Sequence, residues 1–152
     1  MTRERLSEWT SGGTSVLVGT VDSDGVPACC RGIAMISRDD YETVTVYLPA
    51  ATAQETIANV ATTRRVAITC SKPVSHATIQ IKGVTRGVRL APACDEEFVR
   101  ARLGQFADVL DELGLPRRVT RRRAAWPAFA IDVSIEQVFD QTPGPKAGTA
   151  IA

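Results

Sequence analysis

The stretch "PACCRGIAM", Pro27 to Met35, sets one arginine among small and apolar residues. Bounded by turn-forming segments, it reads as the interior of a β-strand. Upstream, "SVLVGTV" (Ser15 to Val21) is rich in β-branched residues and reads as a strand. "DSDG" (Asp22 to Gly25) supplies hairpin-turn chemistry between the two. Downstream, the second strand is expected to run to about Ile36. The polar turn "SRDDYE" and a third strand, "TVTVYL" (Thr43 to Leu48), follow. The chain therefore opens as an antiparallel meander. Arg31 has two readings: an edge charge directed at water, or a cation aimed at a bound anion.

Beyond Leu48 the hydrophobic period changes. Ala53, Ile57, Val60 and Ala61 recur at helical spacing, and Thr52 with Glu55 forms a T-x-x-E capping box that predicts a helix start near Thr52. "RVAITCS" (Arg65 to Ser71) predicts a fourth strand. "HATIQIKGVTRGVRL" predicts a long fifth strand, bent or bulged at Gly83 and Gly87. Along it Ala77, Ile79 and Ile81 share one face, while His76, Thr78, Gln80 and Lys82 line the other. That polar row is either a solvated face or the wall of a site.

"CDEEFVRARLGQFADVLDELGL" predicts a long helix with an apolar stripe of Val99, Leu103, Phe106, Leu110 and Leu113. Acidic residues fill its first turn, and Gly114 followed by Pro116 should end it. "AFAIDVSIEQVF" reads as a last strand with Phe129, Ile131, Val133 and Ile135 on one face, and the tail from residue 141 to 152 reads as irregular. Six mostly antiparallel strands with helices in no βαβ rhythm indicate an α+β, mainly β protein or a closed barrel with helical attachments.

The chain has 152 residues, 44% hydrophobic, and a net charge of +1, so it is expected to form one domain over residues 1–152. This near-neutral charge advertises no nucleic-acid or membrane surface, and the basic run Arg117–Arg123 is balanced by the acidic helix before it. No apolar leader or bilayer-length segment is visible, so a cytoplasmic location is expected. Adjacent strand residues point to opposite faces, so Cys29 and Cys30 are not expected to pair. With a single histidine and no CxxC pair, no metal site is expected. Cys29, Cys30, Cys70 and Cys94 read as small buried thiols.

Taken together, "ACCRGIAM", "VTVYLPAATAQETIANVATTRRVAITC", "TIQIKGVTRGVRL" and "FAIDVSIEQVFDQTPGPKAG" resemble the FMN-binding split-barrel family typified by pyridoxamine 5'-phosphate oxidase. The likeness spans roughly residues 12 to 148. It implies a six-stranded antiparallel split β-barrel with flanking helices and a homodimer holding FMN at the subunit interface. The implied activity is that of an oxidoreductase on a small molecule of unknown identity. A non-catalytic barrel for haem, a deazaflavin coenzyme or stored FMN is the alternative. Arg31 matches the family arginine that holds the flavin phosphate, and the backbone of Gly32, Ile33 and Ala34 would run along the ring. Pro49, Thr52 and Thr56 fall on the phosphate side. His76, Thr78, Gln80 and Lys82 would line the flavin pocket, and no residue is assigned a catalytic role.

Two departures stand out. Where the family carries a Ser-Arg-Lys-like cluster, this chain has Thr52-Ala53-Gln54-Glu55-Thr56, with no cation for a doubly charged phosphate. Lys82 or the Arg117, Arg118, Arg121, Arg122, Arg123 cluster would have to substitute. The arginine-bearing C-terminal substrate motif of the oxidase has no counterpart either, so vitamin B6 oxidation is not expected.

Overall fold

The computed structural model describes residues 3–38 and 42–151, with the side chains of residues 3–5 left out. Part of the polar turn after the second strand (Asp39, Asp40 and Tyr41) lies outside the described residues. In chain order the elements are α1 (Arg3–Thr10), β1 (Ser15–Val21), β2 (Pro27–Gly32), β3 (Ala34–Ser37), β4 (Thr43–Pro49) and α2 (Gln54–Thr62). They continue with β5 (Arg65–Ser71), β6 (Thr78–Leu90), α3 (Glu96–Glu112), α4 (Arg117–Arg121), β7 (Ala128–Asp140) and β8 (Thr149–Ala150).

The sheet order is β2-β1-β5-β6-β7-β4-β3, all antiparallel, with β8 added on β7. Its two terminal strands, β2 and β3, are consecutive halves of the segment expected to form one strand. The break falls at Ile33. Gly32 is still paired with Val16 of β1, whereas the Ile33 N–H donates to the Tyr47 carbonyl of β4 at 2.9 Å. One segment thus ends the sheet on one side and begins it on the other, which curls the sheet into a split barrel. Gly32 stands where the walls meet. A Cβ there would lie 2.8 Å from Val16 Cγ1 and 3.5 Å from Val46 Cγ2.

Alternation along each strand fills the interior. Val18, Val44, Val46, Leu48, Ile68, Ile81, Ile131, Val133 and Val138 are all fully buried in one cluster. Each such side chain contributes about 1.5–3 kcal/mol relative to exposure. Leu6 of α1, Val60 of α2 and Ala53 just before α2 join this cluster, so both helices pack on the barrel core. Asn59 ties α2 to β1 by donating from Nδ2 to Thr20 Oγ1 at 3.2 Å. A second core forms outside the barrel, where Val99 and Leu103 of α3 meet Ile33, Ala34, Tyr47 and Ala130. This covering layer explains why every residue of β4 is buried. Tyr47 also donates to Asp95 Oδ2 at 2.9 Å, and burial followed by that acidic partner pushes its phenol up to about 12.

Several expectations change here. Helix α2 starts at Gln54 behind Ala53 with no side-chain cap, so Thr52 and Glu55 do not form the capping box. The Thr52 hydroxyl instead lies 3.6 Å from the Cys30 thiol. Leu113 falls one residue beyond α3 and is 52% exposed, because the chain turns at Gly114 (φ +89°). The tail is not wholly irregular: Thr149 and Ala150 pair with Asp140 and Phe139. The basic run folds as the short helix α4. The register of β6 against β7 does shift, at Lys82/Gly83 and at Thr85/Gly87. The second shift is pinned by Arg64, whose Nε and Nη2 both donate to the Thr85 carbonyl.

At the first shift, a Cβ on Gly83 would meet the Ser134 carbonyl oxygen at 2.1 Å, a backbone atom that cannot step aside. Gly83→Ala should therefore cost about 1–3 kcal/mol in urea unfolding. Gly87→Ala, with nothing within 4 Å, should cost far less. On the outer face, Asp132 accepts from Thr45 Oγ1 at 2.6 Å and Arg38 Nη2 at 3.1 Å, and is paired with Arg89. Burial raises its carboxyl, but the Thr45 hydroxyl and the two guanidiniums outweigh that and hold it below the usual aspartate value. A depressed folded-state pKa gives stability that is present above the unfolded value and is lost as pH falls through the folded one. Acid unfolding of the wild type should therefore be steeper below pH 4 than that of Asp132→Asn.

Candidate functional site

Arg31 lies on the outward face of β2, opposite Leu17 of β1, and its Nη1 donates to Ser15 Oγ at 2.9 Å. Pairing with β1 fixes its direction. Cys30, the preceding residue, must point inward and is 3% exposed, while Cys29 and Arg31 point out. Beside Arg31 is an open cavity of about 330 Å³ lined by Cys29, Cys30, Pro49, Thr52 and Arg123 as well. Thr52 arrives from the turn after β4, and Arg123 from the residues that follow α4.

Arg123 is the residue the sequence singled out only as one of a cluster. It is half-buried, and its pKa is lowered, first by burial and then by the like charge of Arg31. Two guanidiniums in one cavity with no carboxylate among its lining residues repel one another, and an anion between them removes that cost. The N-terminus of α2, which no side chain caps, lies just beyond Thr52. Arg117, by contrast, is paired with Asp108 and Asp111. Spacing alone does not tell these arginines apart; the short helix α4 does.

The remaining candidates lie elsewhere. Thr56 is 2% exposed on the inner side of α2. Gly32, Ile33 and Ala34 are buried, the last two under α3. His76 sits at an exposed turn with φ +59°, its N–H bonded to the Lys72 carbonyl at 2.9 Å. Thr78 donates to Ser71 Oγ, and Gln80 reaches Thr69 Oγ1 at 3.4 Å, so both belong to the outer face of β5 and β6. Lys82 lies over the Phe139 ring at 4.8 Å and lines a different cavity, about 600 Å³, with Arg65, Glu136 and Gln137. The structure therefore brings Arg31, Pro49 and Thr52 together, adds Arg123, and places Lys82 elsewhere.

The four cysteines are free, and two of them, Cys29 and Cys94, are exposed rather than buried. Among the described residues no group of three or more His, Cys, Asp or Glu side chains gathers as a metal-binding cluster. No helix among them is long and apolar enough to cross a membrane.

No protein-family model and no curated protein sequence matches the chain. Solved structures do share its fold. HupZ of Group A Streptococcus superposes over 97% of this chain and 100% of its own at 18% identity and a TM-score of 0.59. A putative pyridoxamine 5'-phosphate oxidase of Lactobacillus delbrueckii covers 91% and 93% at 18% identity, with a TM-score of 0.56. An FMN-binding protein of Syntrophomonas wolfei covers 90% and 86% at 14% identity, with a TM-score of 0.54. At these identities the likeness is one of fold.

Burial pushes the Cys70 thiol up to about 12. Cys30 is also raised, by burial first and by the neighbouring Cys29 thiol, against the Thr52 hydrogen bond and the charge of Arg123. At pH 8 a disulfide reagent should therefore modify Cys29 and Cys94 in the native protein, and Cys30 and Cys70 only on unfolding. Peptide mapping of the labelled sites checks this ordering; rapid labelling of Cys30 would mean that the cavity wall opens.

Proposed function

We propose that this chain binds FMN, with the phosphate held by Arg31, Arg123 and the Thr52 hydroxyl, and acts as an oxidoreductase on a small organic molecule. The observation that carries the reading is the meeting of Arg31 and Arg123 in one cavity beside Thr52. A phosphate monoester carries nearly two negative charges at neutral pH and needs charge-assisted donors. Arg123 fills the role of the cation absent from the Thr52–Thr56 segment. The uncapped start of α2 adds backbone N–H groups and a favourable dipole.

The shared fold supports the same reading, since one solved protein with it is described as FMN-binding and another as a putative pyridoxamine 5'-phosphate oxidase. When bound, the flavin supplies the hydride and electron chemistry, and the chain supplies binding and orientation. Arg31 and Arg123 fix the phosphate end, and Ser15 steadies Arg31. The outer face of β1, β5 and β6, with Thr78 and Gln80 on it, is the wall we assign to the flavin's polar edge, completed by a second copy of the chain. Haem fits less well. The single histidine, His76, is on an exposed turn and does not line the arginine cavity.

The test is titration with FMN and with riboflavin, which lacks the phosphate. Wild type should prefer FMN. Arg31→Ala and Arg123→Ala should each cost about 1.5–3 kcal/mol, roughly ten- to a hundredfold in FMN affinity, while riboflavin binding changes little. Equal binding of the two flavins to wild type would overturn the reading. A Soret band on adding haem would redirect it, as would preferential binding of a deazaflavin coenzyme.

A further inference from the structure

A second cleft, of about 460 Å³, opens between the barrel and the α3–α4 pair. Ser15, Ser71 and Pro73 form its barrel wall, and Phe106, Leu110, Leu115 and Val119 form its helical wall. Arg31 and Arg123 line this cleft as well as the smaller cavity, so the two spaces meet at the arginine pair. The flavin reading makes no use of the apolar wall.

The cleft has a cationic end and an apolar body. Its volume lies within the range of small-molecule sites, about 300–1,000 Å³. Thr120 also lines it, is 2% exposed, and has an Oγ1 with no hydrogen-bond partner. A buried hydroxyl left unpaired is costly, and a helical threonine commonly avoids this by bonding the carbonyl one turn back. Thr120 does not. It precedes Arg123 by three residues, close to the cationic end. Leu115 and Val119 are 40% and 48% exposed, so the apolar wall is reachable from solvent.

We propose that this cleft binds a small organic monoanion with an apolar body, of the class of a medium-chain carboxylate. Its head would lie on the guanidiniums of Arg31 and Arg123, and its chain against Phe106, Leu110 and Val119. A bare phosphate would leave the apolar wall wet, and a neutral hydrocarbon would leave the arginines unpaired. Each guanidinium carries several N–H donors, and one donor of Arg31 goes to Ser15. The pair therefore has donors for an anion on either side. The inference goes beyond the flavin reading and can stand without it.

Octanoate and 1-octanol are the probes, titrated calorimetrically into the full chain with and without saturating FMN. Octanoate should bind about tenfold more tightly than octanol, and because both anions draw on Arg31 and Arg123, saturating FMN should weaken octanoate about threefold without abolishing its binding. Val119 is at the surface, so Val119→Gln should fold normally. It should weaken octanoate about threefold by loss of apolar contact, adding no charge beside Arg123 and leaving FMN affinity unchanged. Arg123→Ala should weaken both ligands. Equal binding of octanoate and octanol would overturn the proposal. Full competition between octanoate and FMN would do so too, by making the cleft part of the flavin site. So would a Val119→Gln variant that dissociates a dimer in sedimentation yet binds octanoate normally, since the cleft would then be covered by a second copy. Octanoate binding in a protein that ignores FMN would remove the flavin reading and leave this one in place.

Discussion

The backbone hydrogen bond from the Ile33 N–H to the Tyr47 carbonyl begins the strand pairing that closes this fold. It transfers one chain segment from the β1 edge of the sheet to the β4 edge, and the barrel core forms behind it. The transfer requires the two walls to approach closely at Gly32, where Val16 crowds out a Cβ and Val46 is in contact range. It also sets the direction of every residue in the opening stretch. With Gly32 directed inward, Arg31 faces out and Cys30 in, so the charge at Arg31 is set by the same register that builds the core.

Around that closure the structure divides its polar chemistry between two sides. On the face covered by α3, Asp132 sits between Arg38 and Arg89, and Tyr47 donates to Asp95, so charges there are matched. At Arg31 and Arg123 they are not. Among the described residues, the side chain of Arg31 donates to a neutral hydroxyl, and Arg123 is half-buried beside a like charge. Balanced clusters of this size serve as scaffold, whereas an unbalanced cationic pair in a cavity is suited to a ligand.

Much of this was legible in the sequence, for local reasons. Strand alternation in "SVLVGTV" and "RVAITC", the apolar stripe of α3 up to Phe106, its stop at Gly114 and the bulges at Gly83 and Gly87 each depend on neighbours within a few residues. The break at Ile33 was not legible, because "RGIAM" carries one continuous strand signal and only the approach of β1 and β4 divides it. The T-x-x-E motif misled for a similar reason: Cys30, distant in sequence, lies against the Thr52 hydroxyl. Arg31 was marked by its odd setting. Arg123 was one of several arginines in a run, and its selection depends on how α4 packs, which a basic composition does not encode.

The arginine pair also spans from the barrel to the segment that follows α4. Arg31 belongs to the barrel, while Arg123 follows a five-residue helix reached through the turn at Gly114 and Pro116. Without an anion, like-charge repulsion pushes these two parts away from each other. With one, the same two side chains become a clamp holding the helical layer to the barrel, and the binding energy adds to the stability of that docking. Ligand occupancy and the seating of α4 are therefore thermodynamically linked, and slower amide exchange across residues 115–124 would be the visible trace of an occupied cavity.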